Sequence, residues 1–275
     1  VDDGTGFDRV YRYQLNTSGT STVNSGWGIS PENSSPTGIT VDPELGNVYL
    51  PIEDATNDVY GGSRLGNDLF ADSLVCVDLK TGKMKWYFQY TPNDSRDYDE
   101  TGTHVLIDTK IDGQDRKAVT HAGRNGFNYT FDRTTGQFLK VGQYVAKVTW
   151  TKGIDPKTGK PMDYDPAKDL QLYAEPPTAQ EHKATRRVCP EISGGNNLWP
   201  ATYSPKTRLF YIPSLEGCSD ITTDQTAHVP GKFAGGSYTL ADRLTSSIVV
   251  VDPATGQQKA RKELPYPNTA GTLST

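Results

Sequence analysis

Asp97 and Asp99 flank Tyr98 inside a polar stretch, residues 91–102 (TPNDSRDYDETG). On extended backbone, side chains two positions apart point to one side. Two carboxylates so placed repel each other unless a cation or a shared proton relieves them. Carboxylate oxygens are hard ligands of the kind Ca2+ takes. The plainer reading is a solvated acidic turn. Arg124 opens an Arg-Asn-Gly turn further along and would project from a strand edge. A guanidinium offers several donors in fixed geometry and suits a carboxylate oxygen, although a surface arginine beside a hairpin has the same local pattern. Asn196 and Asn197 follow Gly194-Gly195 and precede Leu198-Trp199-Pro200, where an amide side chain often holds a loop. Of the three cysteines, Cys76 sits within a strand pattern (LVCV) as a buried thiol. Cys189 and Cys218 lie in loop-like surroundings, where they either pair or remain two unrelated thiols.

The elements that must position these groups are β-hairpins. Asp-x-x-Thr-Gly occurs five times, beginning at Asp2, Asp78, Asp132, Asp155 and Asp252. Asp and Thr side chains bond the nearby backbone, and glycine takes the positive φ that closes the bend. The run from about 68 to 143 reads as an antiparallel meander. Strands are predicted at 73–78, 84–90, 103–111, 116–122, 127–131 and 137–141, with turns at 78–82, 112–113 and 124–126. Similar strand-turn-strand pieces fall at 38–51, 201–213 and 246–259. Meanders of this kind build propeller blades, four strands to a blade, each burying both faces against its neighbours. Residues 150–188 and 214–240 lack periodicity and are expected to be long loops. Trp86 lies four residues after Gly82 and is placed to dock between blades. At that offset the other turns hold no tryptophan.

The composition agrees: 27 Gly, 18 Pro and 15 Tyr against two Met favour turns and strands over a helical bundle. A net charge of −5 provides no basic footprint for nucleic acid, and no apolar run is long enough to span a bilayer. Residues 1–275 are expected to form an incomplete β-propeller domain made of middle blades, with both ends cut inside a larger fold.

Cys76–Trp86 has the form small-x-Asp-x-x-Thr-Gly-x-x-x-Trp. It resembles the tryptophan-docking motif of quinoprotein alcohol dehydrogenases, eight-bladed propellers that bind pyrroloquinoline quinone (PQQ). Residues 61–70 (GGSRLGNDLF), 86–99 (WYFQYTPNDSRDYD), 123–136 (GRNGFNYTFDRTTG), 189–205 (CPEISGGNNLWPATYSP) and 270–275 (AGTLST) resemble further family segments, in the family's order. The resemblance implies an all-β fold, part of an eight-bladed propeller with four-stranded antiparallel blades. It also implies site roles. Asp97 falls on the catalytic base, and Asp99 on a position that ligates the metal in lanthanide-using members. Arg124 falls on a basic residue that contacts the quinone oxygens, Asn197 on an asparagine that bonds the cofactor, and Cys189 and Cys218 on a family disulfide. The implied metal set within this chain is Asp54, Asp97 and Asp99, with PQQ and Ca2+ or a lanthanide ion as cofactors.

The expected reaction is oxidation of a small alcohol or polyol. Asp97 takes the hydroxyl proton, the quinone takes hydride, and electrons leave through a periplasmic acceptor such as a cytochrome c. The resemblance thus implies a periplasmic protein. Residues 52–64 resemble the glucose-dehydrogenase branch, which keeps a sugar or polyol open as substrate. Three positions depart from the pattern. Asp54 replaces a metal-ligating asparagine and adds negative charge, which favours a more highly charged cation. Pro36 stands where many members stack a tryptophan on PQQ. Arg96 replaces the tryptophan before the base, and a cation there is expected to lower the Asp97 pKa and weaken it as a base. Pro36 and Arg96 favour the rival reading, a noncatalytic propeller used as a binding or assembly module.

Overall fold

The computed structural model describes residues 38–55, 57–174, 184–225 and 233–275, together with the backbone of 9–15 and 21–28. Pro36 and the turn at Asp2 lie outside them. The strands are β1 (Arg9–Leu15), β2 (Ser21–Gly28), β3 (Thr40–Asp42), β4 (Asn47–Ile52), β5 (Ser73–Asp78), β6 (Met84–Gln89), β7 (Val105–Ile111), β8 (Gln114–Ala122), β9 (Phe127–Asp132), β10 (Phe138–Gln143), β11 (Thr185–Val188), β12 (Thr202–Ser204), β13 (Leu209–Glu216), β14 (Ser219–Thr223), β15 (Gly236–Leu240), β16 (Thr245–Asp252) and β17 (Gln257–Leu264).

Three antiparallel four-stranded sheets, β3-β4-β5-β6, β7-β8-β9-β10 and β12-β13-β16-β17, form the body, beside the β1-β2 hairpin. Each turn that joins the last two strands of these sheets is built as its motif dictates. At Asp78 the carboxylate accepts the amides of Lys80 and Thr81 at 3.1 and 2.8 Å. The Thr81 hydroxyl accepts the amide of Lys83, and Gly82 takes φ 68°. The turn at Asp132 repeats this arrangement, and at Asp252 the carboxylate accepts the Ala254 amide while the Thr255 amide bonds the Asp252 backbone oxygen.

Strands β4 and β9 are buried along their whole length, as blades packed on both faces require. An aromatic core of Phe88, Tyr90, Tyr129 and Phe131 lies between the first two sheets. Tyr144, Phe210, Ile212 and Val249 fill the next interface. Trp86 docks as expected. A Cβ added to Gly136, in the second sheet's turn, would fall 2.6 Å from the indole. A second docking was not foreseen. Phe138 lies two residues after its turn glycine, and its ring occupies the space a Cβ of Gly159 would need, at 2.6 Å. The Asp155 turn therefore packs against Phe138, the first residue of β10.

Gly136→Ala is expected to cost about 2–4 kcal/mol. It combines a side chain at φ 79° with overpacking against Trp86, and urea unfolding of the full-length protein measures it.

The segments expected to be long loops need correction. Parts of 150–188 and 214–240 form a three-stranded sheet, β11-β14-β15, with β11 ahead of β12 in the chain and β14 and β15 between β13 and β16. Its strands (TRRV, SDITT, GSYTL) are short, rich in Thr and Ser, and carry few aliphatic residues. They therefore leave no apolar alternation to read, although threonine suits a pleated surface. Cys189 and Cys218 pair at its base, with Cα atoms 4.4 Å apart, and Cys76 is the buried free thiol. No described helix is long and apolar enough to cross a membrane.

Candidate active site

The stretch 91–102 is not a solvated turn. Thr91 through Arg96 are all buried, and so are Tyr98 and Glu100. Asp94 organises it. One carboxylate oxygen accepts the amides of Arg96 and Tyr98 at 2.9 and 3.0 Å, and the Tyr98 hydroxyl donates to Pro190 O at 2.7 Å. Asp97 is left at φ 62°, a left-handed conformation that Asp tolerates better than most residues. Asp97 and Asp99 do converge, but this kink brings them together. The stretch is not the extended strand on which their convergence was expected.

Arg124 is the hub. Its turn closes with the Gly126 amide on Gly123 O at 3.1 Å, and the side chain turns inward, leaving the residue 5% exposed. It pairs with Asp99 through Nη1. Nη2 reaches Asp97 Oδ2 at 3.4 Å and donates to Ile192 O at 2.6 Å. The Gly194-Gly195 pair makes room for it. Gly194 has φ 77°, and a Cβ there would strike the Arg124 side chain at 2.4 Å. The Gly195 amide donates to Arg124 O at 3.0 Å. These glycines were visible in the sequence as a loop signal, but their contact with residue 124 was not.

Asp54 closes the group. Its amide donates to Asp99 Oδ1 at 2.8 Å. One oxygen each from Asp54, Asp97 and Asp99 lies within 4.8 Å of the others, a spacing that a hard cation with oxygen distances of about 2.3–2.6 Å fits. Burial, then the Asp99 and Asp97 charges, push the Asp54 carboxyl well above the usual range. Burial also raises Asp97 well above it, against the pull of Arg124 and with the Asp99 charge adding to the rise. Burial alone would lower Arg124, but Asp99, Asp97 and Asp54 together hold its pKa above the ordinary arginine value. Asp54 Oδ2 and Arg124 Nε are both buried without a hydrogen-bond partner among the described residues. A carboxylate oxygen and a guanidinium N–H left open in one cluster fit a cation and an oxygen-bearing cofactor.

Arg96 corrects an expectation. It does not sit beside the Asp97 carboxylate. It is 1% exposed and pairs with Asp94 at 3.2 Å. Its guanidinium lies over the rings of Trp150 and Tyr173, 5.5 and 4.8 Å from their centroids. Asp97 is accordingly raised, not lowered. Trp150 Nε1 in turn donates to Asn125 O at 2.8 Å, so Arg96 buttresses the Arg124 turn from behind.

Asn197 bonds its own loop, at Ser193 O (3.1 Å) and Leu198 N (2.8 Å), and its Oδ1 accepts from Thr101 of the acidic stretch at 3.2 Å. Asn196 is committed to Trp199 O and Pro213 O.

The family model described as PQQ: Glucose/ethanol/alcohol dehydrogenase, beta-propeller domain, matches residues 12–141. The chain is 33% identical over 214 residues to the quinoprotein ethanol dehydrogenase of Pseudomonas aeruginosa, covering 76% of this chain and 34% of that protein. It is 32% identical over 178 residues to the lanthanide-dependent methanol dehydrogenase of Methylorubrum extorquens, covering 64% of this chain and 29% of that one. The solved quinohemoprotein alcohol dehydrogenase of Comamonas testosteroni superposes with TM-score 0.73 at 28% identity, over 87% of this chain and 37% of that chain. The chain thus spans about a third of the length of these relatives. The docked Trp86 turn, the four-stranded sheets and these matches agree: the chain belongs to the PQQ-dependent quinoprotein alcohol dehydrogenase family of β-propellers.

Proposed function

We propose that the protein oxidises small alcohols or polyols with PQQ and a bound cation, and that Asp54, Asp97, Asp99 and Arg124 are this chain's contribution to the site. The observation that carries the reading is the convergence of three carboxylates, two of them paired with one buried guanidinium, with an oxygen and an N–H of the cluster left without a partner among the described residues. When bound, PQQ supplies the hydride acceptor and the cation supplies Lewis acidity toward it.

Asp54, Asp97 and Asp99 hold the cation. With three negative charges where a family asparagine would leave two, a trivalent lanthanide is favoured over Ca2+. Asp97 Oδ2 receives the substrate hydroxyl proton. Its burial makes it a stronger base than an exposed aspartate. Arg124 would donate to the cofactor's oxygens through a guanidinium already held by Ile192 O. Asn197 would bond the cofactor from a loop tied to Thr101. The Cys189–Cys218 disulfide fits an oxidising compartment, in keeping with a periplasmic location and a periplasmic electron acceptor such as a cytochrome c.

The test is Asp97→Asn in the full-length protein. Turnover is expected to fall at least about 10²-fold, the scale of lost general-base catalysis, while PQQ still binds. Turnover retained in Asp97→Asn removes Asp97 as the base.

A further inference from the structure

The mechanism leaves one buried polar cluster unused. Glu100 follows Asp99 directly, and His121 lies at the end of β8, three residues before Arg124. Glu100 and His121 are 0% and 1% exposed, and Glu100 Oε2 lies 2.5 Å from His121 Nε2. Bare backbone accommodates both. A Cβ on Gly123 would fall 3.0 Å from Glu100 Oε1, and one on Gly102 would fall 3.0 Å from His121 Cε1. His121 stacks on His104 with ring centroids 3.9 Å apart and planes 7° apart. His104 Nε2 is held by the Tyr90 hydroxyl at 2.8 Å. The imidazole of His121 is therefore fixed on its face by His104 and at its edge by Glu100.

Several bonds stitch the acidic stretch to β8 and the turn that follows it, among them Asn125 to Thr91 and Arg124 to Asp97; the two at residues 99 and 100 are Arg124 to Asp99 and His121 to Glu100. These two are not equivalent. On the reading proposed above, Asp99 turns to a cation and Arg124 to the cofactor, so the first bond is the one given up on loading. The second joins two buried groups to which that reading gives neither cation nor cofactor. We propose that His121 is a positioning residue. Its bond to Glu100 holds the Asp97–Asp99 segment in register while Arg124 exchanges partners, and so sets the cation affinity of the site. This inference rests on the cation reading for its consequence, but not for the clamp itself.

The test compares the full-length protein with His121→Phe and His121→Gln. Glutamine carries both a donor and an acceptor, so it restores the bond whichever partner holds the proton. Amide hydrogen exchange across 97–103 is the first readout and terbium affinity, by luminescence, is the second. In His121→Phe the 97–103 amides are expected to exchange about tenfold faster while those of β14 keep wild-type rates. Terbium binding is expected to weaken about 10–100-fold. His121→Gln returns both readouts to near wild type. Unchanged exchange across 97–103 in His121→Phe, or an equal acceleration in β14, overturns the clamp. If His121→Phe does not fold, Glu100→Met takes its place with the same outcomes. Loop rates that respond as stated in a protein that binds no terbium in any form sustain the clamp and overturn the cation reading.

Discussion

Arg124→Met is expected to destabilise the metal-free full-length protein by roughly 3–5 kcal/mol at pH 8, the scale for removing one partner of a buried ion pair. Arg124 is the cation that pairs with both Asp97 and Asp99. Without it, three carboxylates within 4.8 Å of one another must either ionise unpaired or take up protons. Asp54 and Asp97 already lie well above the ordinary carboxylate range, chiefly through burial. A buried acid with a raised folded pKa contributes stability below its unfolded pKa, near 4, and loses that contribution as pH rises through the folded value. The penalty of Arg124→Met should therefore shrink as pH falls from 8 toward about 4, where these acids are protonated in both states. His104, buried and neutral with its pKa lowered by burial and by His121, opposes this trend below about pH 6.5. It does so in wild type and variant alike and cancels from the difference. Urea midpoints of both proteins at pH 8 and pH 5 measure the effect. A penalty equal at both values would assign it to lost packing and to the lost bond to Ile192 O.

A lanthanide added to the metal-free protein at neutral pH is expected to raise its stability more than Ca2+ at the same concentration does. Binding to the folded state alone stabilises by about 2.7 kcal/mol at a hundredfold excess over the dissociation constant. The gain should increase with pH, because the cation binds the ionised carboxylates and must displace their protons. On the proposed reading, Asp54 sets the preference. It is 7% exposed, and its Oδ2 has no partner among the described residues. A trivalent ion thus supplies the partner that Asp54 Oδ2 lacks among the described residues. In Asp54→Asn the lanthanide gain is expected to fall toward the Ca2+ gain, and thermal unfolding with each ion measures both. Equal gains in wild type would remove Asp54 as the source of selectivity.

Much of the fold could be read because its turns carry their own chemistry. Asp78, Thr81 and Gly82 specify a bend by local bonds, and the flanking strands begin and end within two or three residues of where the pattern places them. Trp86 could be read for the same reason, since it lies at a fixed offset from such a turn. Phe138 docks in the same way from a different offset and escaped notice. The β11-β14-β15 sheet escaped because Thr, Ser and Asp line it, and a strand without apolar alternation leaves no period.

At the site, Asp97, Asp99, Arg124 and the cysteine pair followed from the family resemblance, yet the expected local geometry was wrong. A left-handed Asp97, not an extended strand, brings the two acids to Arg124. Arg96 shows the limit most clearly. Adjacency in sequence implied a cation at the base, whereas tertiary packing sends the guanidinium over Trp150 and Tyr173. Glu100–His121 and Gly194–Arg124 join residues 21 and 70 positions apart. Nothing local in either partner encodes such contacts.

The most direct measurement is a titration of PQQ into the metal-stripped full-length protein, followed by absorbance, with a lanthanide, with Ca2+ and with neither. Saturable binding that requires a cation, and that is lost in both Asp99→Ala and Arg124→Met, is the predicted result. No PQQ bound with either cation present would contradict the account and leave the chain a propeller without this cofactor.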